Sequence, residues 1–165
     1  MTRILLFNAV LLSAFVYAVR RGGLPERWAA GMMVAAAIAT FALPSIPRVS
    51  FFELEWQRVV IDLALLVGLL IIMSAADRFW PTYCAALQLV TVMTHGVRAY
   101  DPLVLAQVYW NLSSWLAYPV IAILAAGVWR HSRREAVTGP EYDWTRSRHR
   151  NERERYLSVE PQQPG

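Results

Sequence analysis

The sequence predicts an all-α protein: a polytopic transmembrane helical bundle of about five spans, followed by a disordered C-terminal tail. Three observations predict it. Hydrophobic residues make up 56% of the 165-residue chain and the mean hydropathy is +0.33, whereas soluble domains sit near about 45–50% apolar. The apolar residues gather into long blocks rather than short amphipathic periods. Charge is segregated as well: all 16 basic residues are arginine, and half of them follow the last apolar block.

The blocks run over Ile4–Val19, Trp28–Pro47, Val59–Ala76, Trp80–Val97 and Leu103–Trp129. About 20 mainly apolar residues are needed to cross the hydrocarbon core. The first block reads as a retained span rather than a secretory signal. A signal places its positive charges before the apolar run and small residues after it, but here Arg20 and Arg21 follow the run. The second block is alanine-rich, and Gly31, Ala35 and Ala39 recur at four-residue spacing. Small residues so placed form a helix-packing face, because lipid-facing helices associate by close approach rather than by the hydrophobic effect. Between the second and third blocks, Val49–Gln57 mixes aromatics with Glu53 and Glu55 and reads as an interfacial helix or a plain loop.

Boundary residues agree with the blocks. Trp28, Trp56, Trp80 and Trp129 fall at their ends, where an indole buries its ring and hydrates its N–H. Asp101-Pro102 opens the fifth block as an N-cap followed by a first-turn proline. Pro119 lies inside that block, where its ring predicts a kink. The bundle is expected to occupy residues 1–130, and 131–165 to form a mixed-charge tail with too little apolar surface to offset its ordering entropy.

Orientation follows from the flanking arginines. With five spans, Arg20, Arg21, Arg27, Arg78, Arg130, Arg133 and Arg134 share one side, against Arg3, Arg48, Arg58 and Arg98 on the other. The excess places the N-terminus outside and the C-terminus on the cytoplasmic side.

Polar residues inside the spans are the candidates for function, since ionisable groups there cost about 2.5–3.5 kcal/mol each on insertion scales. On the fourth block, Gln88, Thr91, His95 and Arg98 lie on one helical face, with Cys84 nearby. On the fifth, Gln107, Asn111, Ser114 and Tyr118 do the same, and the two stripes are expected to face each other. Helix direction then gathers Asp62, His95, Arg98, Gln107 and Asn111 in the outer half of the bundle, with Asn8 at similar depth. Such a cluster is either a ligand-binding or proton-accepting site, or a set of hydrogen bonds that ties helices together. Arg58 and Arg98, being near span ends, also suit snorkelling to headgroups.

Other chemistries lack their residues. Cys84 is the single cysteine, so the chain alone builds no disulfide or thiolate metal site. His95, His131 and His149 lie at different depths, so one chain cannot sandwich a haem between two of them, although a homodimer could. No metal set converges, and no phosphate loop, nucleophile elbow or zinc-helix motif is present. The sequence therefore calls for no cofactor, no metal and no catalytic residue. A high pI without a folded basic face does not indicate nucleic acid.

The motifs Arg21-Gly22-Gly23, Ala76-Asp77-Arg78-Phe79-Trp80-Pro81, Thr94-His95-Gly96-Val97-Arg98-Ala99-Tyr100-Asp101-Pro102 and Ala117-Tyr118-Pro119 resemble small polytopic inner-membrane proteins of alphaproteobacterial type. The resemblance covers most of residues 1–134 and excludes the tail. It implies localisation and carries no activity.

The leading expectation is a non-enzymatic accessory or assembly component, partnered by the lipid bilayer and by a second copy or a larger membrane complex. The alternative is a small binding or transport protein with its site at Asp62, His95 and Arg98. An enzyme using His95 as base, oriented by Asp62, ranks last.

Overall fold

The computed structural model describes residues 2–42, 56–76, 78–100, 106–138 and 144. Among them are five α-helices and no strand: α1 (Thr2–Arg21), α2 (Leu24–Ala42), α3 (Trp56–Ala75), α4 (Trp80–Tyr100) and α5 (Ala106–Thr138). Each apolar block gives one helix, because a long apolar run satisfies its backbone most simply in helical form. α5 passes through Pro119 and continues beyond Trp129 to Thr138, so the residues just after 130 are helical. The expected Asp101-Pro102 cap, most of Val49–Gln57 and nearly all of the tail after Thr138 lie outside the described residues.

Each helix packs on its neighbour in sequence, and α5 closes the ring by packing on α1, with a lesser contact to α2. The α1–α2 turn, the α3–α4 connection and the C-terminal part of α5 therefore share one end of the bundle. The start of α3 and the end of α4 share the other.

The α1–α2 turn is tight. Gly22 donates its N–H to the Ala18 carbonyl at 2.8 Å, and Arg27 donates to the Gly23 carbonyl at 3.1 Å. A Cβ on Gly22 would lie 2.6 Å from the Ala18 carbonyl oxygen and 2.9 Å from the Glu26 Cβ, so only glycine permits the two helices to turn this closely.

Inside and outside reverse the usual contrast. The core is rich in small side chains: Ala14, Ala18, Ala29, Ala30, Ala85 and Cys84 are buried alongside Leu11, Leu69, Leu124 and Val128. Large apolar side chains point outward from every helix, among them Leu5, Leu12, Trp28, Phe41, Val60, Ile71, Met93 and Trp115. Two of the helices, over Ile4–Arg21 and Trp56–Ala75, are long and apolar enough to cross a membrane.

Trp80 departs from its expected role. Three of the four boundary tryptophans, Trp28, Trp56 and Trp129, are exposed, but Trp80 is buried. Its ring lies against Gly127 of α5, where an added Cβ would come within 2.8 Å of Cγ and 2.9 Å of Cδ1. The glycine is what lets the indole enter the bundle. By contrast, an added Cβ at Gly31 would meet nothing within 4 Å.

Gly127→Ala should therefore lower stability by about 1–3 kcal/mol through overpacking, read as a fall in the thermal unfolding midpoint of the detergent-solubilised protein. Gly31→Ala should leave that midpoint unchanged or raise it, since alanine is the better helix former. A Gly127→Ala midpoint equal to wild type would refute the wedge.

Candidate functional site

Two buried polar clusters lie at opposite ends of the bundle. At the first, α3 and α4 meet through Asp62. His95 Nε2 lies 2.8 Å from Asp62 Oδ2, and Gln88 Nε2 donates to Asp62 Oδ1 at 3.1 Å and to the Asp62 carbonyl at 3.2 Å. His95 is 3% exposed and Gln88 5%, whereas the Asp62 side chain is 27% exposed. The carboxylate thus keeps one open edge while both of its oxygens are engaged.

Spacing produces this arrangement. Cys84, Gln88, Thr91 and His95 follow three- and four-residue steps on α4, and all four are buried. Thr91 turns its hydroxyl back to the Leu87 carbonyl at 3.2 Å, and Cys84 approaches the Val120 carbonyl of α5 at 3.7 Å.

Asp62 and His95 are brought together as helix direction and depth suggested, and α3 supplies a partner for the α4 stripe. Gln88 and His95 both bond to Asp62 of α3, and the side chains of Gln107, Asn111 and Ser114 on α5 lie outside the described residues. The two oxygens of one carboxyl group on α3 let it meet both side chains at once. On α5, Tyr118 turns to α1 and meets Phe7 edge to face, with ring centroids 5.7 Å apart. Asn8 bonds its own helix at the Ile4 carbonyl, 2.9 Å away, and takes no part in the cluster. The side chains of Arg98, Gln107 and Asn111 lie outside the described residues.

The second cluster was not expected. Glu26, in the first turn of α2, is fully buried. Its Oε1 accepts from Arg78 Nη1 and from Trp80 Nε1, each at 2.9 Å. The Arg78 side chain is only 8% exposed. Oε2 of Glu26 is buried with no hydrogen-bond partner among the described residues. The first turn of α2 also offers the partial positive charge of a helix N-terminus. One carboxylate therefore holds α2, the α3–α4 connection and the start of α4 together. Burying both charges costs several kcal/mol per ion, so each depends on the other being present.

On α2 the buried side is made by Pro25, Glu26, Ala29, Ala30 and Met33. The helix-packing candidates Gly31 and Ala39 are half-buried and Ala35 is exposed, so the described residues leave that face partly open. Among the described residues, no group of three or more His, Cys, Asp or Glu side chains converges as a metal site would require.

No family model matches the chain, and neither a curated protein nor a solved structure does.

Glu26→Ala strands the Arg78 guanidinium and removes the acceptor of the Trp80 indole. A loss of about 3–5 kcal/mol is expected, measured by unfolding in detergent with circular dichroism. For the other cluster, a double-mutant cycle on Asp62→Ala and His95→Ala should give a coupling of about 1–2 kcal/mol. Additive effects within error would show that the two residues do not act as a pair.

Proposed function

We propose that this chain is a multi-pass integral membrane protein of the bacterial inner membrane, with its N-terminus outside and its C-terminus inside, and that it works by association rather than by catalysis. The observation that carries this reading is the inverted surface. Large apolar side chains face outward on all five helices, whereas soluble monomers keep their exposed apolar patches small. Lipid accommodates such a surface, and the two helices long and apolar enough to span support the same setting. The arginine-rich end, with Arg20, Arg21, Arg27, Arg130 and Arg133, suits the cytoplasmic side.

The non-catalytic reading rests on how the polar groups are used. Asp62 engages Gln88 and His95, and Glu26 engages Arg78 and Trp80. In both clusters the strong donors are spent on tying helices together, which leaves little for chemistry on a substrate. The partner is a second copy or a larger membrane complex, met through the partly open Gly31, Ala35 and Ala39 face.

A second reading is favoured by one observation, the open edge of the Asp62 carboxylate beside buried His95. It makes Asp62, His95 and Arg98 a binding site on the outer half of the bundle for a small polar or quinone-like ligand.

The chain should stay in the membrane pellet through alkaline carbonate extraction, and a green fluorescent protein fused after Gly165 should fluoresce, which it does only on the cytoplasmic side. Release into the supernatant would overturn the membrane assignment; a dark fusion would overturn the orientation. Ala35→Leu should reduce crosslinked assemblies from native membranes several-fold. Unaltered crosslinking counts against the α2 face, and a purely monomeric native mass that retains a ligand lost in His95→Ala would favour the second reading.

A further inference from the structure

The end of the bundle that carries the α1–α2 turn has a cavity of about 550 Å³, lined among others by Arg20, Arg21, Arg27, His131 and Glu135. That volume falls within the range of about 300–1,000 Å³ typical of small-ligand sites. Three elements build it: the end of α1, the turn into α2, and the late part of α5. Among the described residues, none of the three arginines is ion-paired with a carboxylate. Arg27 is held at the rim because its Nε donates to the Gly22 carbonyl at 3.0 Å, which fixes its guanidinium beside the turn. The opposing acid, Glu135, lies 3.5 Å from His131, one helical turn away on α5. Glu26, one residue before Arg27, is turned into the core and engaged by Arg78 and Trp80, so it does not neutralise the cavity.

From this geometry we propose that the cavity is a binding site for a phosphate group, held by the forked guanidinium donors of Arg20, Arg21 and Arg27. Arginine suits a phosphate better than any other side chain, because its planar donors match two oxygens at once. Such a group can come from an anionic phospholipid headgroup or from a soluble phosphate. Basic pockets between helices on the cytoplasmic side take phospholipid headgroups. The lipid source rests on the membrane reading above; the soluble source does not.

The test uses the full chain purified in an uncharged detergent. Its thermal midpoint is followed as phosphatidylglycerol, inorganic phosphate or glycerol phosphate is added, with phosphatidylcholine as the uncharged control. Binding to the folded state raises the midpoint in a saturable way. Arg20→Gln/Arg21→Gln is compared with Arg130→Gln/Arg133→Gln, which removes the same charge from the same end but outside the cavity. The expected result is a saturable rise that Arg20→Gln/Arg21→Gln weakens roughly 30-fold in apparent affinity and the control pair leaves within a few-fold. A response to phosphatidylglycerol alone assigns the lipid source, and a response to inorganic phosphate or glycerol phosphate assigns the soluble one. No saturable rise with any phosphate, or equal loss in both double variants, overturns the proposal. If the double variant does not fold, the single variants Arg20→Gln and Arg21→Gln carry the same comparison. A chain retained in carbonate-washed membranes that nevertheless binds no phosphate fails this proposal alone and leaves the membrane reading standing.

Discussion

The bundle depends on one buried carboxylate. Glu26 accepts from Arg78 and Trp80 through a single oxygen, and Trp80 in turn presses its ring on Gly127. Four elements are fixed by that chain of contacts: the start of α2, the α3–α4 connection, the start of α4 and the late part of α5. The first helix joins them through Gly22, whose missing side chain lets Glu26 lie close behind the turn. A buried ion pair is a poor source of net stability, since a well-packed apolar replacement often does as well or better. Its effect is to discriminate. Any other packing of these helices leaves a charge in an apolar interior without its partner.

Discrimination of that kind is what the proposed membrane setting requires. In lipid, an exposed leucine and a buried one are nearly equivalent, so apolar area does not choose among helix arrangements. Close approach and paired polar groups must choose instead. The core supplies the first through alanines on α1, α2 and α4. The second comes from two clusters near opposite ends, both of which include α4: Trp80 at its start, and Gln88 with His95 toward its end. α4 is thus fixed in rotation and in height, α3 is clamped to it by Asp62, and α5 follows because Gly127 receives Trp80 and Val120 receives Cys84.

Much of this was legible in the sequence, and the remainder was hidden for an identifiable reason. Helix number and order follow from the apolar blocks, since each run is long enough to need its own helix. The Asp62–His95 contact was legible too: direction and depth along two antiparallel helices place those residues together. The α4 stripe is legible in its spacing, but its bonds to Asp62 of α3 are not, because spacing shows which residues share a face and not which neighbour that face meets. Glu26 was missed outright. It stands beside Arg27 in a short polar turn, where a solvated charge is the ordinary expectation. Arg78 was read only as a topological charge, and Trp80 as an interfacial anchor. Their contacts with Glu26 span 52 and 54 residues, and no local pattern encodes separations of that size. One signal was available: an acidic residue in a first helical turn, opposite a connection with its own arginine and tryptophan.

The same turn explains why one end of the bundle is so positive. Successive helical residues point about 100° apart, which lets Glu26 and Arg27 part in different directions. Glu26 goes inward and is consumed by Arg78 and Trp80, and Arg27 goes outward to the Gly22 carbonyl. Burying the acid removes the counter-charge that would otherwise neutralise Arg20, Arg21 and Arg27. The clamp that orders the helices and the cationic cavity beside it are therefore two consequences of one local choice. Exposing Glu26 would weaken both the clamp and the cavity's positive field.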